Sequence, residues 1–186
     1  MLYKNVKEET GSREKFIEIY HQSFDYVYSF VFARTAGDAQ TSEEIVQETF
    51  TAAYASMNRF NNNSSYRTWL CGIAKNKLMD YYRRVASLQR KVMPGHIDIS
   101  EVPSEWNIEE VVFMGERKQY VIKALASINP IYRYALVMKY LDGYSTKEIA
   151  GILKRSPKAV DGILQRAKSS FAEIFYKVSG EVRKDG

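Results

Sequence analysis

Between Phe60 and Arg84 the chain gathers the side-chain types that engage nucleic-acid bases. Phe60 and Tyr66 offer aromatic faces, Asn61, Asn62, Asn63 and Asn76 offer amides, Ser64 and Ser65 offer hydroxyls, and Arg67, Arg83 and Arg84 offer cations. Stacking on an unpaired base and hydrogen-bonding its edge needs these types close together. A second set lies near the C-terminus, where Lys154, Arg155, Lys158, Gln165, Arg166 and Lys168 fall within fifteen residues. Cations there can hold phosphates or read guanine, and an amide can read adenine.

The charge distribution marks the same two segments. Residues 61–93 carry 7 basic and 1 acidic side chain, and residues 117–186 carry 14 and 6. Between them, residues 94–116 carry 6 acids and no base, and residues 1–60 are mildly acidic with 6 bases and 9 acids. Two basic segments flanking an acidic one point to two contacts with a polyanion, although long solvated helices also carry Lys and Arg. Other chemistry is poorly provided for. Cys71 is the single cysteine, so neither an internal disulfide nor a cysteine-built zinc site can form. His21 and His96 lie far apart and read as ordinary histidines rather than metal ligands. There is no Gly-rich phosphate loop, no nucleophile–histidine arrangement and no metal-ligand cluster, which argues against an enzyme and against a cofactor. No run approaches the roughly 20 apolar residues of a membrane span. The segment from Met1 to Gly11 lacks the apolar stretch of a signal peptide, so a cytoplasmic protein is expected.

The elements that must position these residues read as helices throughout. Phe16, Ile19, Tyr20, Phe24, Val27, Tyr28 and Val31 recur at steps of three and four, and Gly37-Asp38 breaks the run. Thr41 and Glu44 form a T-x-x-E pattern that predicts a capping box opening the next helix. Its buried stripe is Ile45, Val46, Phe50, Ala53, Tyr54 and Met57. The Asn61–Ser65 loop precedes a third helix, with Trp69, Leu70, Ile73, Ala74, Leu78 and Tyr81 facing inward. Pro94-Gly95 ends this half, and the acidic stretch that follows, with Pro103, reads as a linker. Beyond it, Asn129-Pro130 interrupts one helix, Ile131–Leu141 form another, and Asp142-Gly143 ends that. Ser145 and Glu148 form a second capping-box pattern before a short helix. Ser156-Pro157 then reads as an N-cap with proline at the first helical position. A short helix, a tight turn and a longer amphipathic helix make a helix-turn-helix.

Two blocks resemble the extracytoplasmic-function (ECF, group 4) sigma factors of the sigma-70 family. Ser42-Glu43-Glu44-Ile45-Val46-Gln47-Glu48-Thr49-Phe50, with Thr68-Trp69-Leu70-Cys71-Gly72-Ile73-Ala74-Lys75-Asn76 downstream and the closing Arg83-Arg84, is similar to the signature of region 2. The stretch from Leu125 to Phe171, including Tyr144–Ala150 and Gln165-Arg166-Ala167-Lys168, is similar to region 4. The second block alone also suits other helix-turn-helix regulators.

The resemblance implies an all-α protein of two small domains. Residues 1–93 would be region 2, residues 94–115 a flexible acidic linker and residues 116–186 region 4. It implies core RNA polymerase and promoter DNA as partners, no membrane insertion of the chain's own, and an anti-sigma factor that holds the protein inactive and could sequester it at the inner face of the membrane. Core polymerase would meet Glu44, Gln47, Glu48 and Thr51. The melted −10 strand would meet Phe60, Asn61, Asn62, Asn63, Ser64, Ser65, Tyr66, Arg67, Asn76, Arg83 and Arg84. Trp69 reads as core, Tyr81 and Tyr82 stay ambiguous, and Asp80 is expected to orient a nearby cation. The −35 duplex would meet Lys154, Arg155, Lys158, Ala159, Asp161, Gly162, Gln165, Arg166 and Lys168. The acids Asp98, Glu101, Glu105, Glu109 and Glu110 would mimic RNA charge in the polymerase channel, unless the linker is simply solvated.

The sequence also departs from the family pattern. Lys158-Ala159-Val160-Asp161-Gly162-Ile163 stands where Gly-Thr-Val-x-Ser-Arg is common, so −35 preference does not transfer. Gly162 inside a helix costs about 1 kcal/mol relative to Ala and would let the backbone approach DNA. Lys154 occupies a turn position usually held by Gly, where a positive φ would cost roughly 1–2 kcal/mol. The competing reading is a stand-alone helix-turn-helix regulator that binds duplex DNA without polymerase.

Overall fold

The computed structural model describes residues 2–61, 63–92 and 115–180, with side chains at 13–61, 63–88 and 118–180. The regular elements among them are all helical. Helix α1 (Leu2–Arg34), α2 (Ala39–Ser56) and α3 (Tyr66–Val92) pack on one another as the N-terminal bundle. Helix α4 (Gly115–Ser127), α5 (Pro130–Leu136), α6 (Thr146–Leu153) and α7 (Pro157–Ser179) form the C-terminal one. The acidic linker and its five acids lie outside the described residues, as does Asn62.

Local chemistry sets the helix boundaries. The α1–α2 turn runs through Ala36 and Gly37 at φ 57° and 82°. The buried Thr35 and Ser42 hydroxyls close it with a 2.7 Å hydrogen bond. Asp38, not Thr41, caps α2: its carboxylate accepts from the Thr41 backbone N–H at 3.0 Å and from the Thr41 hydroxyl at 2.8 Å. The expected Thr41/Glu44 capping box therefore does not form, because α2 already begins at Ala39 and Thr41 lies inside its first turn rather than at its cap. The second capping box does form: Glu148 N–H donates to the Ser145 hydroxyl, and Ser145 N–H donates to the Glu148 carboxylate at 2.8 Å. Ser156 caps α7 with Pro157 at its first position. Past Leu136, α5 continues into a π-type turn, Val137–Leu141, rather than an unbroken α-helix.

Val27, Val31, Ala53, Leu70, Ala74 and Leu78 are buried in the N-terminal bundle, and Ile149, Leu153, Val160 and Ala167 in the C-terminal one. Burial of this apolar surface is what holds each bundle. The two bundles also pack against each other, α3 lying on α5 and α6. Tyr82 stacks on Tyr134 with ring centroids 4.7 Å apart, and the Tyr81 and Tyr134 hydroxyls share a hydrogen bond of 2.8 Å. Tyr82 donates its hydroxyl to the Arg34 carbonyl, and the Arg34 guanidinium donates to Asp142 at 2.8 Å. Burial raises the Tyr82 and Tyr134 hydroxyls well above the usual tyrosine range, so both stay protonated. The two tyrosines left ambiguous by the sequence thus form the seam between the bundles.

Candidate nucleic-acid interface

The loop after α2 and the start of α3 form one aromatic shelf. Phe60 lies 4.5 Å from Tyr66 and 5.1 Å from Trp69, centroid to centroid. All three are half-buried, so Trp69 is part of the shelf's support rather than deep core. Ser65 caps α3, accepting from the Thr68 N–H at 3.1 Å, which gives its hydroxyl a structural duty. Asn61, Asn63 and Ser64 are exposed, and the Asn61 side chain accepts from the Asn63 N–H. Arg67 turns back onto α1, donating to the Gln22 carbonyl and lying over the Tyr26 ring at 5.3 Å. Along α3, Asn76, Asp80, Arg83 and Arg84 are exposed. Steps of four and three put Asn76, Asp80 and Arg83 on one stripe, and Asp80 holds Arg83 at 2.6 Å, the orienting role expected of it. At 1.5 Å per residue the stripe from Tyr66 to Arg84 is about 27 Å long. Beneath it, burial raises the Cys71 thiol, which keeps it protonated and unreactive.

The second set is displayed by the helix-turn-helix. Ile149, Leu153, Val160, Ile163, Leu164 and Ala167 face the core, which forces the polar residues of α7 outward. Lys154, Arg155, Lys158, Asp161, Gln165, Arg166 and Lys168 are exposed, and Ala159 and Gly162 are half-buried between them. The turn closes with Lys154 in the left-handed region, φ 51° and ψ 50°, the positive φ that its place in the turn raised as a question. Its N–H and that of Arg155 satisfy the last carbonyls of α6. Lys168 lies over the exposed Tyr140 ring at 5.5 Å, drawing it toward the π-type turn.

The four residues expected to meet polymerase divide between two faces. Gln47 and Thr51 line a groove between α1 and α2 with Phe16, Tyr20, Phe24, Glu43, Val46, Phe50 and Tyr54. Glu44 is exposed beside it, whereas Glu48 lies toward α3 and pairs with Lys77 at 3.4 Å. Tyr20 and Tyr54 were read as buried stripe, yet they are 36% and 53% exposed and form the groove's aromatic rim. Their steps, Phe16-Tyr20-Phe24 and Gln47-Thr51-Tyr54, were visible, but helical periodicity cannot tell a filled seam from an open one. Among the described residues no group of ligating side chains could hold a metal ion, and no helix is long and apolar enough to cross a membrane.

Residues 19–87 match the family described as Sigma-70 region 2, and residues 118–170 match Sigma-70, region 4; together they cover well over half of the chain. The chain is 25% identical over 170 residues to the ECF RNA polymerase sigma factor BldN of Streptomyces coelicolor, covering 90% of this chain and 63% of that one. It is 29% identical over 164 residues to the ECF RNA polymerase sigma factor SigW of Bacillus subtilis, covering 82% and 85%. Among solved structures it is similar to the sigma factor RpoE in complex with the anti-sigma factor NepR from Bartonella quintana, at 19% identity, TM-score 0.43, and 87% and 96% coverage. With both regions present in the same order and the shelf, stripe and helix-turn-helix in place, the chain belongs to the extracytoplasmic-function sigma factors of the sigma-70 family.

Proposed function

We propose that this chain binds core RNA polymerase and directs promoter-specific initiation, reading a melted −10 strand with the aromatic shelf and α3 stripe and a −35 duplex with α7. The family is one of non-catalytic regulators of transcription. The observation that carries the division of labour is the pairing of two unlike surfaces in one chain. One is aromatic, amide-rich and cationic, suited to unpaired bases. The other is an exposed helix beside a tight turn, suited to a major groove. In this reading residues 1–93 and 116–186 are the two reading domains and residues 94–115 tether them, which raises the effective concentration of the second contact once the first is made. Core polymerase docks on α2 and the α1–α2 groove, where Tyr20 and Tyr54 supply exposed aromatic surface and Glu43, Glu44, Gln47 and Thr51 a polar rim. The protein works in the cytoplasm, and an anti-sigma factor covers these surfaces until it is released.

Elements centred at −35 and −10 lie about 25 base pairs apart, roughly 85 Å along straight duplex. The packed arrangement holds the two domains ring to ring at Tyr82 and Tyr134. Occupying both elements therefore requires the domains to separate.

The test is run-off transcription with sigma-free core polymerase on templates with randomised −35 and −10 elements, read by sequencing the transcripts. Transcripts that start at a fixed distance from two enriched motifs are the expected result. No stimulation over core alone, together with tight duplex binding by the isolated protein, would instead establish a stand-alone regulator.

A further inference from the structure

On the exposed face of α7, Arg166 is not splayed into solvent. Its Nε donates to the Tyr132 hydroxyl at 3.1 Å. Its guanidinium lies back along the helix over Gly162, with Nη1 and Nη2 at 3.5 and 3.7 Å from where a Cβ on that residue would stand. A helical side chain covers the turn N-terminal to its own Cα. The head of Arg166 is thus carried one turn toward the N-terminal half of α7, the part that reaches base edges in a helix-turn-helix. A Cβ at position 162 would meet that guanidinium only at ordinary van der Waals distance, so the placement of Arg166 does not depend on the glycine.

Tyr132 is a fixed anchor. It sits in the first turn of α5, which Asn129 caps by accepting from the Ile131 N–H at 2.9 Å. The adjacent Arg133 is buried and donates to the Leu125 and Ala126 carbonyls, clamping the end of α4 to α5. The Tyr132 ring is half-buried against the core. Its hydroxyl therefore has a set position, while an unanchored arginine would sample many rotamers. With Nε engaged, the two Nη groups have no other protein acceptor among the described residues, and they form the fork that guanine O6 and N7 accept.

We infer that Tyr132 is a positioning residue for specificity: it aims Arg166, laid back over the Gly162 turn, at a guanine of the −35 element. This rests on α7 being the −35 reader. The experiment is the same randomised-promoter transcription, run with the full chain and core polymerase, for Tyr132→Phe, Arg166→Ala and the double variant, with thermal melting of each protein. Tyr132→Phe keeps the ring and loses only the hydroxyl. Loss of a good bidentate contact lowers discrimination about 5- to 150-fold. Arg166→Ala is expected to lose guanine preference on that scale at one or two adjacent −35 positions. Tyr132→Phe should reduce the preference at those same positions about three- to tenfold, leave the −10 motif and melting temperature in place, and add nothing when combined with Arg166→Ala. An unchanged −35 motif in Tyr132→Phe, or a uniform loss at every position, would overturn the inference. A parental chain that enriches no −35 motif at all would overturn the −35 reading beneath it, which is a separate and recognisable outcome.

Discussion

Single residues carry duties that their types only partly announce. Lys154 is held at φ 51° in the turn between α6 and α7, a region that costs a side chain roughly 1–2 kcal/mol. Lys154→Gly should raise stability by about 0.5–1 kcal/mol after the glycine's larger unfolded-state entropy is counted, measurable by urea unfolding. If the ammonium also holds a phosphate, the same variant should bind −35 duplex more weakly and lower the slope of log K against log salt by about one. The two readouts separate backbone strain from charge. Glu148 shows a different duty. Hydrogen bonds from the Ser145 hydroxyl and backbone hold its carboxyl below its usual value of 4.5. A depressed folded value means that this contact stabilises fully above the usual value and is lost as pH falls through the folded one. Ser145→Ala should cost about 1 kcal/mol at neutral pH. The difference in melting temperature between it and the parent should shrink as pH is lowered below about 4.5.

At the level of elements, the same amphipathic rule yields two outcomes. Helix α7 is filled on its apolar side by α4, α5 and α6, which leaves a clean polar face in solvent. The aromatic side of α1 and α2 is only half closed, so Tyr20 and Tyr54 stay in solvent beside Gln47 and Thr51. Exposed aromatics in a lined groove are the residues whose truncation costs most at an interface. Tyr54→Ala is expected to weaken core polymerase binding about tenfold or more, with −10 and −35 motifs unchanged in the transcripts that remain. A titration with labelled protein measures this directly, and unchanged affinity would move the docking surface elsewhere on α2.

For the whole molecule, the consequential contact is the seam between bundles. Arg34 and Asp142 face each other there with side chains 13% and 4% exposed. The Arg34 guanidinium also lies 3.5 Å from the Phe30 ring centre, and Tyr82 joins the Arg34 carbonyl to Tyr134. Removing one member of such a pair leaves the other charge buried and costs about 3–5 kcal/mol, enough to separate two small domains without unfolding either. Asp142→Ala should therefore increase the radius of gyration in small-angle scattering and lengthen the distance between dyes placed on α2 and α7. It should also bind promoter DNA with core polymerase at least as well as the parent, since the separation required for both elements has already occurred. A compact Asp142→Ala protein would show that the tyrosine stack alone holds the seam.

The sequence by itself determined the helices, their order, the two basic surfaces and the family. Each follows from spacing along a single element: periodic apolar residues, the Ser145/Glu148 and Ser156-Pro157 start signals, and side chains at i, i+3 and i+4. It also gave Asp80 a nearby cation to orient, and the structure makes that cation Arg83, within one helical turn. The tertiary structure decided whatever depends on what faces an element from elsewhere in the chain. That includes Asp38 displacing Thr41 as cap, Tyr20 and Tyr54 opening into a groove, Arg67 folding onto α1 and Tyr132 anchoring Arg166. It also includes the Tyr82–Tyr134 seam, which joins residues 52 positions apart. The physical reason is that burial and hydrogen-bond partnership are properties of pairs in space, whereas periodicity records only the direction in which one side chain leaves its own helix.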